Sequence, residues 1–411
     1  MEFRNHTLDN GLEIVAECSP KAYSQALAFF VSTGSRDESS DVAGVSHFLE
    51  HMMFKGTPNR TAADVNRELD EIGSQSNAFT SEEQTVYYTA VLPDYQEEVI
   101  DLLADMMRPS LRQDDFDTEK QVIIEEIAKH DDQPPFGAHE KCMAMFFGDH
   151  RLGNSVLGTA ESVGALTRDA MYEYFERQYS PGNMTLVASG NVDFDKLVAD
   201  AETRCGKWKS FETSRTLEST AGNEGIAYIE QPSATQQYVT QIAGGPPAGD
   251  DSRFARRLLA TVFGDESGSR LFWELVDPGL VEYAVVASYE YMGAGITSTF
   301  LSCSPDEVEN NLKRLADLQE KVQQEGITAD ELELAKSKIC SHLVRRAERP
   351  SSRLFAVGNN WVQRRDYTTV KKVVEAYQAV TLDDVAKTLT EFPMTRSTTV
   401  LAGPMKPKIV A

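Results

Sequence analysis

The segment Val86-Tyr-Tyr-Thr-Ala-Val-Leu-Pro-Asp94 decides the fold class, because a similar order of residues recurs in the second half of the chain. Its counterpart is Ile296-Thr-Ser-Thr-Phe-Leu-Ser-Cys-Ser-Pro-Asp306, and an amphipathic helical pattern follows both segments. The strand pattern Met184–Gly190 is likewise answered by Ser397–Gly403. Repetition of whole elements in the same order indicates a duplicated chain.

Strand and helix patterns alternate irregularly within each half. This order predicts an α+β protein with two duplicated domains, each a mixed, mainly antiparallel sheet packed on helices. The polar stretch Ser210–Gly225 is the predicted linker, which gives domains at 1–212 and 224–411. In the first half the strand patterns cover 24–33, 75–80 and 84–92, and the helical patterns cover 42–55, 61–72, 94–107 and 114–129.

The composition excludes several classes of function. A formal net charge of −24 argues against nucleic acid and anionic membranes as partners, since both require a basic surface. No stretch approaches the roughly 18 apolar residues of a membrane span, and the N-terminal residues lack the pattern of a secretion signal. The 5 cysteines are scattered without a paired motif, which is typical of free thiols in a reducing compartment. We therefore expect a cytoplasmic protein.

The run His47-Phe48-Leu49-Glu50-His51 predicts a metal site on a helix. Residues four apart lie on one helical face, so both imidazoles can reach one zinc ion. Glu50 shares that face and can contact a water at the same ion. A lone histidine is more often a hydrogen-bonded or surface residue, but two histidines with a carboxylate between them favour a zinc site that carries its own base.

A third ligand is expected from the helix that begins near Asp114. Glu119 and Glu126 lie seven residues apart on it and therefore occupy nearly one face, two turns apart. Only one of them can reach a given metal, while the other is expected to support the metal ligands without binding the ion itself. Where the first half carries its histidine motif, the second half has Arg256–Gly264, which contains no metal ligand. The first domain is therefore predicted to be catalytic and the second non-catalytic.

Three segments resemble the pitrilysin and mitochondrial processing peptidase (insulinase-type) family of zinc metallopeptidases, whose signature is an inverted His-x-x-Glu-His motif with a distant glutamate. The resemblance implies that Glu126 is the third zinc ligand, with Glu125 as its main rival, and that Glu119 is a supporting carboxylate. It also implies one zinc ion per chain and Glu50 as the general base toward a zinc-activated water. The segments are Gly44-Val-Ser-His-Phe-Leu-Glu-His-Met-Met-Phe-Lys-Gly-Thr57, Asn77-Ala-Phe-Thr-Ser-Glu-Glu-Gln-Thr-Val-Tyr87 and Glu119-Lys-Gln-Val-Ile-Ile-Glu-Glu-Ile127.

The same resemblance implies a set of substrate-binding residues. Asn77, Ala78 and Phe79 correspond to an edge strand to which an extended substrate adds through main-chain hydrogen bonds. Arg270 and Tyr283 correspond to the second-domain segment that closes over the substrate. Members of the family commonly have an arginine seven residues before this tyrosine, where the chain has Val276. Asn77 capping a turn and Arg270 forming a surface ion pair are the alternatives.

These observations predict a zinc endopeptidase that hydrolyses peptides or unfolded polypeptide segments inside an enclosed chamber. The resemblance implies a dimer, most simply a homodimer, and a heterodimer with a silent homologue is the alternative. A non-catalytic assembly or scaffold subunit of the same fold is the rival function.

Overall fold

The computed structural model describes residues 1–408, in two compact units that are each built on one sheet. The first unit comprises 1–128, 154–216 and 345–368, and the second comprises 129–153, 217–344 and, among the described residues, 369–408. Within the described residues, no helix is long and apolar enough to cross a lipid bilayer. All five cysteines are buried and none forms a disulfide.

The first unit contains a six-stranded sheet in the order β1-β2-β6-β3-β5-β4, in which only the β2–β6 pair is parallel. Strand β4 therefore lies at an edge. The elements are β1 Glu2–Thr7, β2 Glu13–Cys18, β3 Gln25–Val31, α1 Val45–Met53, α2 Ala62–Glu71, β4 Gln75–Thr80, β5 Thr85–Val91, α3 Gln96–Met106, α4 Gln113–Asp131, α6 Ala160–Ala165, α7 Arg168–Gln178, β6 Met184–Gly190, α8 Phe194–Cys205 and α12 Pro350–Arg364.

The second unit contains a five-stranded sheet in the order β7-β11-β8-β10-β9, with one parallel pair, β7–β11. The mixed, mainly antiparallel sheets predicted for both halves are confirmed. The elements are α5 Pro134–Phe147, β7 Gly225–Glu230, β8 Gln237–Gly244, α9 Ser252–Gly264, a π-helical turn Phe272–Val276, β9 Tyr283–Tyr291, β10 Ala294–Cys303, α10 Val308–Glu325, α11 Ala329–Arg346, α13 Val370–Ala379, α14 Leu382–Glu391 and β11 Ser397–Gly403.

Each unit contains one helix that comes from the other half of the chain. The contiguous domain boundaries predicted from the sequence, 1–212 and 224–411, do not include this exchange. One of the points at which the chain passes from the first unit to the second, Thr216–Leu217, lies inside the predicted linker. Helix α5, from the first half, packs on β8 and β11 of the second unit. Helix α12, from the second half, packs on β2, β3 and β6 of the first unit. Each sheet thus buries one face under a helix that comes from the other half of the chain.

Helix α12 is fixed to the first sheet by close packing and by a buried ion pair. Leu354 and Val357 pack with Phe30 of β3, and the Cα of Gly358 approaches so closely that an added Cβ would lie 2.3 Å from the Phe30 ring. Arg353 donates from Nε and Nη2 to the two carboxylate oxygens of Glu17 on β2, at 2.7 and 2.6 Å. The burial of both side chains makes this a strong geometric constraint on the helix.

Candidate metal centre

Helix α1 places His47 and His51 on one face, as their spacing predicts. The ring centroids lie 4.7 Å apart, and His47 is 8% exposed. The helix begins directly after Gly44, whose φ of +89° is a backbone conformation that favours glycine. An added Cβ at Gly44 would lie 2.6 Å from the carbonyl oxygen of Leu157, so this glycine also permits close packing at the start of the helix.

Helix α4 brings Glu126 to the two histidines. Its Oε1 lies 3.9 Å from Nε2 of His47, and its Oε2 lies 3.7 Å from Nε2 of His51. The rings of Phe48 on α1 and Phe116 on α4 stack with centroids 4.7 Å apart, which fixes the two helices against each other. Packing between the helices therefore determines which turn of α4 faces the histidines.

The three side chains form a donor set that fits a metal ion. One ligand atom from each of His47, His51 and Glu126 lies within 4.8 Å of the others, and Glu125 is not part of this group. Burial, together with the neighbouring His51, lowers the pKa of His47 to about 4, so its imidazole is neutral near pH 7 and its lone pair is available. Two imidazoles and one carboxylate are the protein ligands of a common class of catalytic zinc site.

Glu119 is not in the ligand group, but it contacts the Nδ1 ring nitrogen of His51. Its Oε1 is 2.9 Å from Nδ1 of His51, and its Oε2 is 2.5 Å from the ammonium of Lys55. Burial alone would raise the pKa of Glu119, but the hydrogen bonds from Lys55 and His51 outweigh it and lower the pKa. The carboxylate is therefore ionised and accepts the Nδ1 proton, which leaves the Nε2 lone pair of His51 directed toward Glu126.

Glu50 also lies on helix α1, and its carboxylate accepts a hydrogen bond from a residue of the first sheet. The hydroxyl of Thr80, the last residue of β4, donates to Oε2 of Glu50 at 2.6 Å. Burial raises the pKa of Glu50, and the nearby Glu126 adds to the rise, while Thr80 and His51 oppose it. A carboxylate whose proton affinity is increased in this way is suited to accept a proton from a neighbouring water.

The predicted substrate strand is an edge strand of the first sheet. Asn77, Ala78 and Phe79 lie on β4, which pairs with β5 on one side only. Asn77 is exposed, and its side-chain oxygen accepts from the backbone N–H of Ala78 at 2.9 Å. The backbone of β4 is thus positioned to pair with a further strand, and substrate binding by these residues stays a prediction.

The remaining candidates, Arg270 and Tyr283, belong to the second unit. Arg270 donates to both carboxylate oxygens of Glu331, at 2.7 and 2.8 Å, which is the ion pair named as the alternative. The hydroxyl of Tyr283 donates to Glu266 at 3.3 Å. Their role toward substrate is a prediction that these contacts do not test.

Two residues of the site escaped the sequence reasoning, although both had a local signal. Lys55 lies four residues after His51, which places it on the same helical face as the predicted ligands. Thr80 is the last residue of the predicted strand 75–80, so a hydroxyl at the end of that strand was a candidate partner for the motif.

The chain is similar to known proteins over most of its length. Residues 13–160 match the family model "Insulinase (Peptidase family M16)", and residues 165–339 match "Peptidase M16 inactive domain". An "uncharacterized zinc protease" of Mycobacterium tuberculosis is 32% identical over 389 residues, which cover 93% of this chain and 89% of the relative. A protein of Streptomyces coelicolor with the same description is 31% identical over 98% of this chain and 90% of its own length.

A solved structure shows the same fold. The crystal structure of a protease from Helicobacter pylori superposes with a TM-score of 0.92 at 21% identity, covering 98% of this chain and 99% of that chain. The sequence matches extend over both halves of the duplicated chain. On this basis the chain belongs to the insulinase-type peptidase family M16.

Proposed function

We propose that this protein is a zinc-dependent endopeptidase that hydrolyses peptides or unfolded polypeptide segments. The observation that carries the proposal is the convergence of ligand atoms of His47, His51 and Glu126 within 4.8 Å, near enough to the Glu50 carboxylate that His51 and Glu126 act on its pKa. One Zn²⁺ per chain suits this donor set, because two imidazoles and a carboxylate leave a coordination position open. The description of the relatives as zinc proteases supports the same assignment.

Each residue of the site has a separate role in the proposed reaction. When bound, zinc supplies a Lewis acid that polarises a carbonyl and acidifies water. Glu50 accepts a proton from the attacking water and passes it to the leaving amine, and Thr80 holds the carboxylate in place by its hydrogen bond. Glu119 keeps the proton of His51 on Nδ1 and thereby orients the ring toward the ion.

Substrate addition to β4 is the second part of the proposal. The main chain of Asn77–Phe79 forms hydrogen bonds to an extended peptide, which tolerates many side chains and therefore suits a peptidase of broad specificity. A homodimer is the proposed assembly, with a silent homologous partner as the alternative. The enclosed chamber, the cytoplasmic location and the roles of Arg270 and Tyr283 stay predictions.

The proposal is tested by metal analysis and a chelator experiment on the purified full-length chain. We expect about one zinc per chain by plasma mass spectrometry, and cleavage of a peptide library that stops after chelation and returns with added Zn²⁺. A chain that binds no zinc and cleaves no peptide would instead be a non-catalytic assembly subunit. Hydrolysis that appears only after a homologous partner is added would identify a heterodimer, and the mass of the active species distinguishes it from a homodimer.

Replacing Glu119 with Gln is expected to weaken zinc binding by about 10–100-fold, as loss of partners behind a metal ligand commonly does. The amide has no charge to hold the Nδ1 proton of His51 and leaves the ammonium of Lys55 unpaired. The dissociation constant is measured by competition with a chromophoric chelator. Glu125→Gln is the matched control, because this exposed carboxylate lies on the same helix outside the ligand group. Equal zinc affinity in the two variants would contradict the supporting role.

A further inference from the structure

The helix that carries both histidines has no side-chain cap of its own. Its N-cap residue is Gly44, and His47 is the third helical residue, within the first turn. Backbone N–H groups of a first turn have no partner inside the helix and must find one elsewhere. The position of His47 therefore depends on what holds this turn.

A buried carboxylate from the preceding loop supplies that partner. Glu38 is 1% exposed, and its two oxygens accept from the backbone N–H groups of Gly44 and Ser46, at 2.6 and 2.7 Å. A carboxylate at this end of a helix is also favoured by the helix dipole. Burial raises the pKa of Glu38 to about 7, although the hydrogen bonds from Ser46 and Gly44 oppose the rise.

The side chain of Ser46 is hydrogen-bonded to other parts of the first unit. The hydroxyl of Ser46 lies 2.8 Å from the hydroxyl of Tyr174 on α7, which lies 2.7 Å from the hydroxyl of Thr33. All three residues are buried. Glu38 thus belongs to a continuous hydrogen-bonded network that joins the start of α1 to another helix and to Thr33, two residues after β3.

The two histidines differ in how their rings are held. The Nδ1 of His51 is hydrogen-bonded to Glu119, and Glu119 forms an ion pair with Lys55. The Nδ1 of His47 is buried and has no hydrogen-bond partner among residues 1–408. The orientation of His47 must therefore come from the backbone of the first turn and from packing. The orientation of His51 is instead set by its hydrogen bond to Glu119, which in turn pairs with Lys55.

We propose that Glu38 is a positioning residue for the metal ligand His47, which it holds by fixing the first turn of α1 before any metal binds. This inference rests on the proposed zinc peptidase function and extends it. Glu38 does not touch the ligand atoms; it acts through the backbone N–H groups of Gly44 and Ser46. Its contribution is to the affinity of the site rather than to the chemical step.

The first test replaces Glu38 with Gln in the full-length chain. The amide keeps one acceptor oxygen but turns an NH₂ group toward the second backbone N–H, so we expect zinc affinity to fall by about tenfold. Saturating Zn²⁺ is expected to restore kcat to within about twofold of the wild type, because Glu50 and Thr80 are unchanged. A zinc affinity equal to that of the wild type would overturn the proposal.

Glu17→Gln is the matched control. Glu17 is an equally buried carboxylate of the same unit, 1% exposed, but its partners are Arg353 and Tyr367. This control is expected to lower the melting temperature and to leave the zinc dissociation constant within about twofold of the wild type. A purely structural role for Glu38 would give the same pattern as the control, namely lost stability with unchanged zinc affinity.

A second measurement needs no variant. In the metal-free wild type, the amides of Gly44 and Ser46 are expected to exchange with deuterium as slowly as in the zinc-bound protein, because Glu38 already holds them. Exchange that becomes slow only when Zn²⁺ is added would show that the metal orders the turn, and would overturn the proposal. If the wild type neither binds zinc nor cleaves peptides, the proposed function fails; if it does both while the Glu38 tests fail, only this inference is wrong.

Discussion

Replacing Glu50 with Gln is expected to lower kcat by about a thousandfold while the zinc content stays at about one ion per chain. The amide has nearly the same size as the carboxylate, and its oxygen can still accept the hydrogen bond that Thr80 donates at 2.6 Å. It has no lone pair basic enough to take the proton of the attacking water. Since Glu50 is not in the ligand group formed by His47, His51 and Glu126, metal binding has no reason to change.

The measurement pairs peptide hydrolysis under saturating substrate with zinc analysis of the same preparation. Glu125→Gln serves again as the matched control, because it removes one exposed carboxylate from the adjoining helix without touching the ligand group. Substantial hydrolysis by the Glu50→Gln protein would show that another group is the base. Loss of zinc together with activity would show instead that Glu50 supports the metal.

Replacing Arg353 with Met is expected to destabilise the first unit by about 3–5 kcal/mol, because the buried carboxylate of Glu17 then loses its cationic partner and keeps, among residues 1–408, the hydrogen bond from the Tyr367 hydroxyl. Burial tends to raise the pKa of Glu17, but the hydrogen bonds of Arg353 and Tyr367 lower it in the intact protein. The free energy of unfolding is measured by urea titration at neutral pH. A loss below about 1 kcal/mol would contradict the prediction.

Arg365→Met is the matched control for this change. Arg365 follows the same helix and pairs with Glu13 of the same strand, but its side chain is 55% exposed. Exposed pairs are screened by solvent, so we expect a loss of less than about 1 kcal/mol. The comparison keeps the residue types and the strand constant, while the Arg365 pair is more exposed and joins through one arginine nitrogen instead of two.

The pH dependence of stability gives a further check on Arg353. A carboxyl whose pKa is lowered in the folded state adds stability above its unfolded pKa of 4.5, and this contribution is lost as the pH falls through the lower folded value. Without Arg353, burial reverses the direction of the pKa shift, so protonation of Glu17 relieves the unpaired charge. The difference in unfolding free energy between variant and wild type is therefore expected to shrink as the pH falls from 7 toward 4.5.

Local patterns predicted several of the strands well, because alternation and turn residues act over short distances. The strands at Met184–Gly190 and Ser397–Gly403 have the bounds that the repeated patterns indicate. The motif helix was predicted over 42–55 but spans Val45–Met53. Its start is delayed because Gly44 adopts a positive φ, and Gly56 lies beyond the end of the helix, where it bridges to Thr61.

Long-range packing could not be read from the sequence. An amphipathic stripe shows that α5 and α12 each bury a face, but it does not say which sheet receives it. The same limit applied to the metal centre, where spacing left Glu119 and Glu126 as alternatives. The stacking of Phe48 on Phe116 brings Glu126 to the histidines, and such a contact between helices has no signature in either helix alone. Glu38 was missed for a similar reason, since its partners are backbone groups.

The exchange of α12 constrains how the nascent protein matures. A ribosome makes the strands β2, β3 and β6 before it makes residues 350–364. Until then the sheet face around Phe30 lacks the helix that covers it, so the unit that carries the histidines cannot complete its core before α12 has been made. A gene cut at the linker would leave the unit built by each fragment without one of its helices, so each unit could be completed only after the two polypeptides reassociate.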